Sequence, residues 1–334
     1  MKIGIVGMGI SGAYLASRLS FEHKVIGYER FEKDKFDSIC AWGSSKHVMQ
    51  EFAKKCGLNF DNYILHEGKR MIIDLGINSF EIKLKGLCVF DKVSFIKNLI
   101  GNVNVNFGKY ITKNSLNDTY DLIIDATGVI RSLLPKVKYD LLIPCVQYKV
   151  KFKNPPYDDF YVKPFTTVSG YLWYFPLGNG YAHVGAGDYY KRHNLELENF
   201  LNRYPCEILK KVGRPVRVTP PLLCEPFYQD NIVGVGEAIG TVYPILGEGI
   251  IPSLQCADLL IENIYNLPKY RNEVLKMFKI YNIIYSIIKS KLDQKFSLIK
   301  KIPSLLSLFL HMKRNEERYG IKVKMSYITN VLRI

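Results

Sequence analysis

The stretch that decides the fold is KIGIVGMGISGAYLASRL, residues 2–19. A short apolar run leads into Gly7, Gly9 and Gly12, which stand in the GxGxxG spacing, and a segment of helical composition follows. This order predicts a buried strand, a tight turn at Gly7, close approach of a pyrophosphate to the backbone at Gly9, and close helix–strand packing at Gly12. The helix N-terminus then faces the phosphates. The stretch therefore predicts a dinucleotide site in an α/β domain.

A second predicted strand, HKVIGYER, ends at Glu29, seventeen residues after Gly12. A carboxylate at this position binds ribose hydroxyls and disfavours a 2′-phosphate, so the pattern favours FAD or NAD over NADP. The alternative is a glycine-rich turn in an α/β protein that binds no dinucleotide.

The rest of the chain does not continue as one alternating nucleotide domain. Residues 69–90 predict two or three short strands, and residues 91–102 predict a helix. A buried strand at Leu122 to Ile124 then runs into an Asp-Ala-Thr-Gly segment, and residues 230–265 predict a strand, a glycine-rich turn and a helix. The nucleotide domain is therefore predicted to come from three separate segments.

Residues 170–187, GYLWYFPLGNGYAHVGAG, predict a hairpin that turns at Gly-Asn-Gly. Because side chains alternate along a strand, Tyr171, Trp173 and Phe175 share one face, and Leu172 and Tyr174 share the other. An aromatic stripe is usually core. Since both faces are apolar here, we expect one to pack on a helix or loop and the other to form a floor for an apolar substrate.

The ends of this hairpin carry further expectations. Pro176 is predicted to end the first strand, and Gly185 and Gly187 are predicted to let a substrate or cofactor approach the backbone closely.

Composition narrows the location and the partners. The net charge of +15 indicates an acidic partner: nucleic acid, an anionic membrane or an anionic cofactor. The seven cysteines are scattered and form no CxxC pair, which argues against disulfides and a metal site and fits a reducing cytoplasm. The N-terminal stretch could pass for a signal peptide, but it carries the glycine pattern and lacks a good cleavage site. We expect a cytoplasmic protein, at most peripheral to a membrane.

Together these motifs resemble the para-hydroxybenzoate hydroxylase class of FAD enzymes. Within that class, Tyr-x-Trp-x-Phe-Pro followed by Gly-x-Gly is similar to the motif of the geranylgeranyl reductase family. The stretch CAWGSS, residues 40–45, falls where those reductases carry a cysteine-containing loop beside the flavin. The resemblance covers about residues 1–265.

The resemblance implies a mixed α/β fold with a Rossmann-like FAD-binding domain built from residues 1–60, 86–138 and 225–265. It also implies an antiparallel-sheet substrate domain, residues 61–85 and 139–224. Residues 266–334 form a basic helical region beyond these two domains.

The resemblance also implies roles for individual residues, with FAD as the cofactor. The implied FAD-binding residues are Gly7, Gly9, Gly12, Glu29, Ala126, Thr127, Gly128, Gly236, Glu237, Gly247, Glu248, Gly249 and Ile250. The implied substrate-binding residues are Tyr171, Trp173, Phe175, Pro176, Gly185 and Gly187. Cys40 is the candidate catalytic residue, as a reactive thiol or proton donor near the flavin; the alternative is a small buried side chain.

Two positions depart from the class. Glu237 stands where Asp is usual, and Lys92 stands where Arg is frequent. Both changes keep the charge, but the Glu237 carboxylate is one methylene further from the backbone, and Lys92 lacks the planar bidentate donor of an arginine.

The implied reaction is reduction of isolated C=C bonds in an isoprenoid chain by hydride from reduced FAD plus a proton. The electron donor is expected to be external, because no second GxGxxG opens a helix. Two alternatives stay open: a flavin monooxygenase or dehydrogenase acting on another apolar molecule, and a lipid-binding paralogue without catalysis.

The region after residue 266 is strongly basic. It holds fifteen Lys/Arg and four Asp/Glu, a difference of +11. Residues 273–292 and 302–314 each predict one helix with an apolar face. The two interpretations are helices that pack on the domains with solvated lysines, or a patch that lands on anionic lipid. Nucleic acid is not expected, since no recognition motif is present.

Overall fold

The computed structural model describes residues 1–37, 40–116 and 119–334. The strands are β1 (Lys2–Val6), β2 (Lys24–Tyr28), β3 (Gly43–Ser45), β4 (Ile64–Glu67), β5 (Arg70–Asp74), β6 (Ser79–Lys83), β7 (Leu87–Phe90), β8 (Asn104–Asn106), β9 (Leu122–Asp125), β10 (Leu142–Lys151), β11 (Phe160–Pro164), β12 (Gly170–Gly178), β13 (Tyr181–Asp188), β14 (Glu207–Arg217), β15 (Tyr228–Gln229) and β16 (Ile232–Gly234). The helices are α1 (Ile10–Leu19), α2 (Lys46–Lys54), α3 (Lys92–Ile100), α4 (His193–Arg203), α5 (Ile250–Glu262), α6 (Leu267–Met277), α7 (Lys279–Leu292), α8 (Ile302–Arg314), α9 (Glu316–Tyr319) and α10 (Met325–Leu332).

A six-stranded sheet in the order β15-β16-β9-β1-β2-β8 forms the first layer. Its strands pair in parallel except for β15, which is antiparallel to β16. Helix α1 packs against α3 and α5. Strands β1, β9 and β16 come from three distant parts of the chain, as the sequence predicts. The mixed α/β fold with a Rossmann-like sheet is confirmed.

A seven-stranded sheet in the order β14-β10-β13-β12-β11-β5-β6 forms the second layer. It is antiparallel apart from the β5–β11 pair. The predicted hairpin is β12 and β13, in which Trp173 lies opposite Gly185. On one face of β12, Leu172 and Tyr174 are buried with Phe200 of α4. The other face of β12 carries Tyr171, Trp173 and Phe175, which are half-buried.

A third, three-stranded sheet in the order β3-β7-β4 lies beside the second. Strand β3 follows directly on the CAWG loop and pairs with β7. This pairing anchors one end of the loop that carries Cys40.

The C-terminal helices α6 to α10 follow the two sheets in the chain and pack on the core. The sequence predicts one helix over 273–292, but this prediction is wrong at Phe278, where the backbone leaves helical geometry and separates α6 from α7. The break lets Phe278 and Tyr281 both pack in the core, edge to face at 5.1 Å between ring centroids. Helix α8 has the predicted bounds. Residues 321–322 then pair with the end of β6, through Leu84 and the carbonyl of Lys83.

No helix among the described residues is both long and apolar enough to cross a bilayer.

Candidate cofactor and substrate site

The first glycine turn has the geometry that a nucleotide needs. Gly7 has φ +93°, and a Cβ on Gly12 would lie 1.9 Å from the Gly7 carbonyl oxygen, so α1 packs too closely on the turn for a side chain there. A Cβ on Gly9 would meet nothing within 4 Å, which leaves the backbone open at this point. Glu29 accepts hydrogen bonds from the backbone N–H groups of Met8 and Phe31, at 2.9 and 3.1 Å. The carboxylate is therefore fixed at the mouth of the turn.

The second glycine turn lies directly against the first. Both oxygens of Asp125 accept hydrogen bonds from the loop that follows β9, including the N–H groups of Thr127 and Leu133. A Cβ on Gly7 would approach the Ala126 carbonyl oxygen to 2.6 Å. Asp125 therefore shapes the loop that carries Ala126, Thr127 and Gly128.

The third turn completes the junction. A Cβ on Gly236 would fall 3.1 Å from Ser11 Oγ of α1 and 2.9 Å from Ser253 Oγ of α5. A Cβ on Gly128 would lie 3.3 Å from the Glu237 carboxylate. The structure thus brings the three separated segments together at one edge of the parallel sheet.

Glu237 points at the second sheet. Its carboxylate pairs with the Arg214 guanidinium and accepts the Arg217 backbone N–H at 3.0 Å. Arg217 in turn is held by Asp140 at 2.9 Å. The sequence marks Glu237 as an implied FAD-binding residue but does not point to Arg214, whose only signal is its place in a basic strand. The pair joins the two sheets.

A large apolar cavity of about 390 Å³ lies between the C-terminal helices and the face of the second sheet that carries Tyr171, Trp173 and Phe175. Its polar lining residues are Ser44, Ser45, Gln147, Ser169, Arg214, Glu248, Arg318 and Lys322. The remaining lining is mostly aliphatic and aromatic, and α7, α8 and α10 all contribute to it. Such a cavity suits a long apolar molecule with few polar groups.

The aromatic face of β12 forms part of the cavity wall. Tyr171, Trp173 and Phe175 all line it. The Tyr171 hydroxyl donates to the carbonyl of Leu246, so the strand contacts the loop before α5. Trp173 Nε1 donates to Gln147 Oε1 at 3.3 Å. The predicted aromatic floor and the predicted flavin loop therefore meet.

The glycines of the hairpin accommodate the protein's own side chains. A Cβ on Gly185 would lie 2.2 Å from the Trp173 indole, and one on Gly187 would lie 2.4 Å from Cys145 Sγ. The close approach expected at these positions is thus made by Trp173 and Cys145 within the sheet.

The prediction that Pro176 ends its strand is wrong. Strand β12 continues to Gly178, and Pro176 stays paired with Ala182 before the register shifts. A proline lacks only the N–H, so pairing survives at a position beside a β-bulge.

Cys40 lies at the cavity beside a lysine. Lys92 Nζ donates to Cys40 Sγ at 3.2 Å, and the backbone N–H of Trp42 approaches the same sulfur at 3.4 Å. Gln147 Nε2 donates to the Cys40 carbonyl at 3.1 Å. Cys40 is therefore positioned from three sides, and Gln147 links it to Trp173. In the sequence, Lys92 stands out only as a departure from the class, and no motif points to Gln147.

The start of α5 carries a charged pair. Glu248 Oε1 accepts the Ile251 N–H at 3.0 Å, and Glu248 Oε2 accepts from Arg318 at 2.7 Å. Arg318 also lies over the Tyr319 ring, and its Nη1 is buried without a partner among the described residues. The segment Gly247 to Ile250 is exposed to the cavity, but part of its N-terminal charge is met by Glu248.

A second, more open cavity of about 460 Å³ lies on the other side of Trp42. Its lining includes His183, Lys149 and Lys210. His183 is 2% exposed and contacts the Trp42 ring edge to face at 4.5 Å. Burial lowers the pKa of His183 to about 4, so the imidazole is neutral at physiological pH. The sequence indicated no partner for His183.

The residues present fit a dinucleotide flavin. The open backbone at Gly9 and the absence of acids in the first turn of α1 suit a pyrophosphate. The hydroxyl of Ser44, a residue of the cavity wall, is buried without a partner among the described residues. Unpaired buried hydroxyls are costly unless a ligand satisfies them.

Comparison with known proteins gives related sequences and folds. No protein-family model matches the chain. A digeranylgeranylglycerophospholipid reductase of Methanothermobacter thermautotrophicus is 32% identical over 153 residues, which cover 41% of this chain and 39% of that protein. One from Methanopyrus kandleri is 24% identical over 296 residues, which cover 76% of this chain and 78% of that protein. The chain thus matches less than half the length of the first relative and over three quarters of the second.

The solved structures show the same fold. A geranylgeranyl bacteriochlorophyll reductase-like protein of Thermoplasma acidophilum superposes with a TM-score of 0.71 at 17% identity, covering 95% of this chain and 98% of that one. A probable FAD-dependent monooxygenase of Pseudomonas aeruginosa superposes with a TM-score of 0.59 at 14% identity, covering 89% of this chain and 98% of that one.

Proposed function

We propose that this chain reduces isolated C=C bonds of an isoprenoid chain, with FAD as cofactor. Its curated relatives and its structural neighbour support membership of the geranylgeranyl reductase family of FAD-dependent oxidoreductases. The substrate class is a lipid or lipid precursor with a geranylgeranyl-type chain. The single observation that carries the proposal is the apolar cavity that joins the aromatic face of β12 to the glycine loop before α5 and to Cys40.

Gly7, Gly9 and Gly12 would hold the pyrophosphate, and Glu29 the adenosine ribose. Gly247 to Ile250, together with the unpaired Arg318 Nη1, would lie near the ring end of the cofactor. The reduced flavin supplies hydride when bound. The proposed flavin cofactor is consistent with the flavin-dependent enzymes among the structural neighbours.

The chain's own residues would bind and orient the alkene. Tyr171, Trp173 and Phe175 offer ring faces to a molecule without hydrogen-bonding groups. When a proton adds to the less substituted carbon of a trisubstituted alkene, positive charge develops on the tertiary carbon, and an electron-rich ring attracts that charge. The aromatic stripe therefore favours the alkene in the transition state as well as the ground state.

Cys40 is the proposed proton donor. Its Sγ would give a proton to the alkene carbon, and Lys92 Nζ, 3.2 Å away, would stabilise the thiolate that forms and return a proton to it. The fixed carbonyl of Cys40 keeps the thiol at the cavity wall.

The test is an anaerobic half-reaction. The purified protein is loaded with FAD, its absorbance is recorded between about 300 and 550 nm, dithionite bleaches it, and a geranylgeranyl lipid is added. We expect the flavin absorbance to return and the lipid to gain two hydrogens by mass spectrometry. A saturated isoprenoid of equal length is the matched control and should leave the flavin reduced.

Other outcomes distinguish the alternatives. Consumption of oxygen with insertion of an oxygen atom into the lipid would identify a monooxygenase. A protein that takes up no FAD but still binds the lipid would identify a lipid-binding paralogue.

A further inference from the structure

Helix α8 and the turn before it present an apolar ridge to solvent. Ile299, Ile302, Leu306 and Leu310 are 80%, 55%, 47% and 41% exposed. These four residues, which we call the α8 ridge, follow one another at intervals of three or four along the chain. They therefore form a continuous surface rather than scattered exposed side chains.

The opposite side of α8 lines the apolar cavity. Leu305, Leu308 and Met312 are buried, and Leu308 and Met312 contribute to the cavity wall. At about 100° per residue, the exposed residues of α8 fall within an arc of about 120°, and the buried ones lie across the helix. A single helix, about 10 Å thick, therefore separates the cavity from the surface that the ridge covers.

Positive charge surrounds the ridge. Residues 294–314 contain five Lys/Arg and no Asp or Glu. Lys295, Lys300, Lys313 and Arg314 are exposed. Of the acids that flank this segment, Asp293 pairs with Lys289 at 2.7 Å, buried Glu316 pairs with Lys313 at 2.6 Å, and Glu317 is exposed.

We propose that the α8 ridge is a membrane-docking surface that inserts into the interface of an anionic lipid bilayer. An apolar stripe bordered by lysines is the pattern of a helix that lies in the interface plane. The thirteen residues of α8 are too few to span a bilayer, so the helix lies on the membrane. The basic side chains around the ridge favour anionic lipid, since each cation near an anionic membrane surface strengthens binding about fivefold.

Docking in this orientation places the wall of the cavity at the lipid boundary. A lipid-borne chain would then have to pass only α8 and its neighbours to reach the aromatic face of β12. The inference depends on the exposure and charge of the tail and does not require the proposed reduction to be correct.

The test is co-sedimentation with vesicles. The wild-type chain is mixed with vesicles of phosphatidylglycerol and phosphatidylcholine in equal parts, or of phosphatidylcholine alone. We expect binding to the anionic vesicles about tenfold tighter or more, weakened by added salt.

Two variants separate the ridge from the charge. L306D with L310D should weaken binding about tenfold or more, because the inserted surface becomes charged. K295Q with K300Q should weaken it about 25-fold on anionic vesicles and leave the weak binding to neutral vesicles unchanged. I77D is the matched control, since Ile77 is an apolar side chain that is 99% exposed in the turn between β5 and β6.

An added tryptophan tests insertion directly. In L306W, fluorescence should shift to the blue with anionic vesicles and be quenched by brominated lipid. Several results would overturn the proposal: no sedimentation with anionic vesicles, binding that L306D with L310D does not weaken, or no quenching. A self-associating chain that L306D converts to monomers would identify the ridge as a contact between copies, which also overturns it.

Discussion

At the scale of single residues, the site depends on side chains that act through a neighbour. Cys40 Sγ accepts a hydrogen bond from Lys92, Trp173 donates one to Gln147, and Glu237 forms an ion pair with Arg214. In each pair the first residue belongs to a motif that points to the site, whereas the sequence gives no signal that the second residue contacts it. The partner that positions each motif residue thus comes from another part of the chain.

The Cys40–Lys92 contact predicts coupled effects on the proposed reaction. C40S and K92M should each slow reoxidation of the reduced flavin by lipid about 100-fold, because either change interrupts the same proton delivery. The double variant should be little slower than either single one. The measurement is the anaerobic single-turnover rate for all four proteins.

K92R is the matched control for that cycle, since it keeps the cation, and it should retain most of the rate. Independent effects that multiply in the double variant would show that the two side chains do not share a step.

His183 predicts a pH dependence of stability. Because burial lowers its pKa to about 4 from 6.5, the unfolded chain binds a proton in that interval and the folded one does not. Stability from this residue is therefore complete above pH 6.5 and falls as the pH drops towards 4, by about 3 kcal/mol in total. Urea unfolding at a series of pH values should show this slope in wild type and a reduced slope in H183Q.

The absolute stability of H183Q should also fall, because its side chain loses the ring contact with Trp42. The slope is the diagnostic quantity: an equal slope in both proteins between pH 4 and pH 6.5 would show that His183 does not titrate in this way.

At the scale of elements, the main contact within the β12–β13 hairpin is that of the Trp173 indole with Gly185 on the neighbouring strand. Leu172 and Tyr174 pack under α4, while Trp173 lies across Gly185 and into the cavity. The hairpin can present Tyr171 and Trp173 on one face because the partner strand has Gly187 and Gly185 opposite them.

Gly185→Ala should therefore disturb both stability and the cavity. The new methyl would lie 2.2 Å from the indole, so the ring must move, at a cost of about 1–3 kcal/mol in the free energy of unfolding. Chemical denaturation measures the cost. The double variant Gly185→Ala with Trp173→Leu should recover part of it, since the smaller side chain leaves room for the methyl; a double variant no more stable than the sum of the two would contradict the contact.

At the scale of the whole molecule, the C-terminal region completes the site. Helices α7, α8 and α10 supply one side of the cavity wall, and Arg318 reaches the loop before α5. Glu316 fastens this region: it accepts hydrogen bonds from Lys85 and Lys313, both at 2.6 Å, and from the Val323 N–H at 2.9 Å. Loss of these Glu316 contacts should therefore loosen the C-terminal side of the cavity wall.

E316Q should lower the stability of the C-terminal region by about 2 kcal/mol, because the amide carries no charge and its NH2 group cannot accept a hydrogen bond, so both ion pairs are lost and one of the two acceptor oxygens disappears. Although burial alone would raise it, the lysine hydrogen bonds hold the pKa of Glu316 at about 2. Its contribution is therefore present above about pH 4.5 and is lost as the pH falls towards 2. Limited proteolysis should cleave E316Q faster than wild type at neutral pH.

E317Q is the matched control, because Glu317 is the exposed neighbour on the same short helix. If E317Q is cleaved as fast as E316Q, the effect would come from net charge and not from the anchor.

Features that depend on local geometry can be predicted from the amino-acid sequence. The glycine spacing fixes a turn at Gly7 and close packing at Gly12, and the alternation along residues 171–175 fixes which side chains share a face, because both follow from the backbone repeat. The segmented parallel sheet and the hairpin were predictable for the same reason. The two local errors, at Pro176 and Phe278, occur where packing outweighs the preference of one residue.

The way in which these elements meet depends on long-range packing. Lys92 reaches Cys40 across 52 positions of chain, and Arg318 reaches Glu248 across 70. Such contacts depend on how sheets and helices pack, and no spacing along the chain encodes them. The cavity and the two faces of α8 likewise exist only once the tail folds over the second sheet, because burial of an amphipathic helix is settled by the partner that it meets.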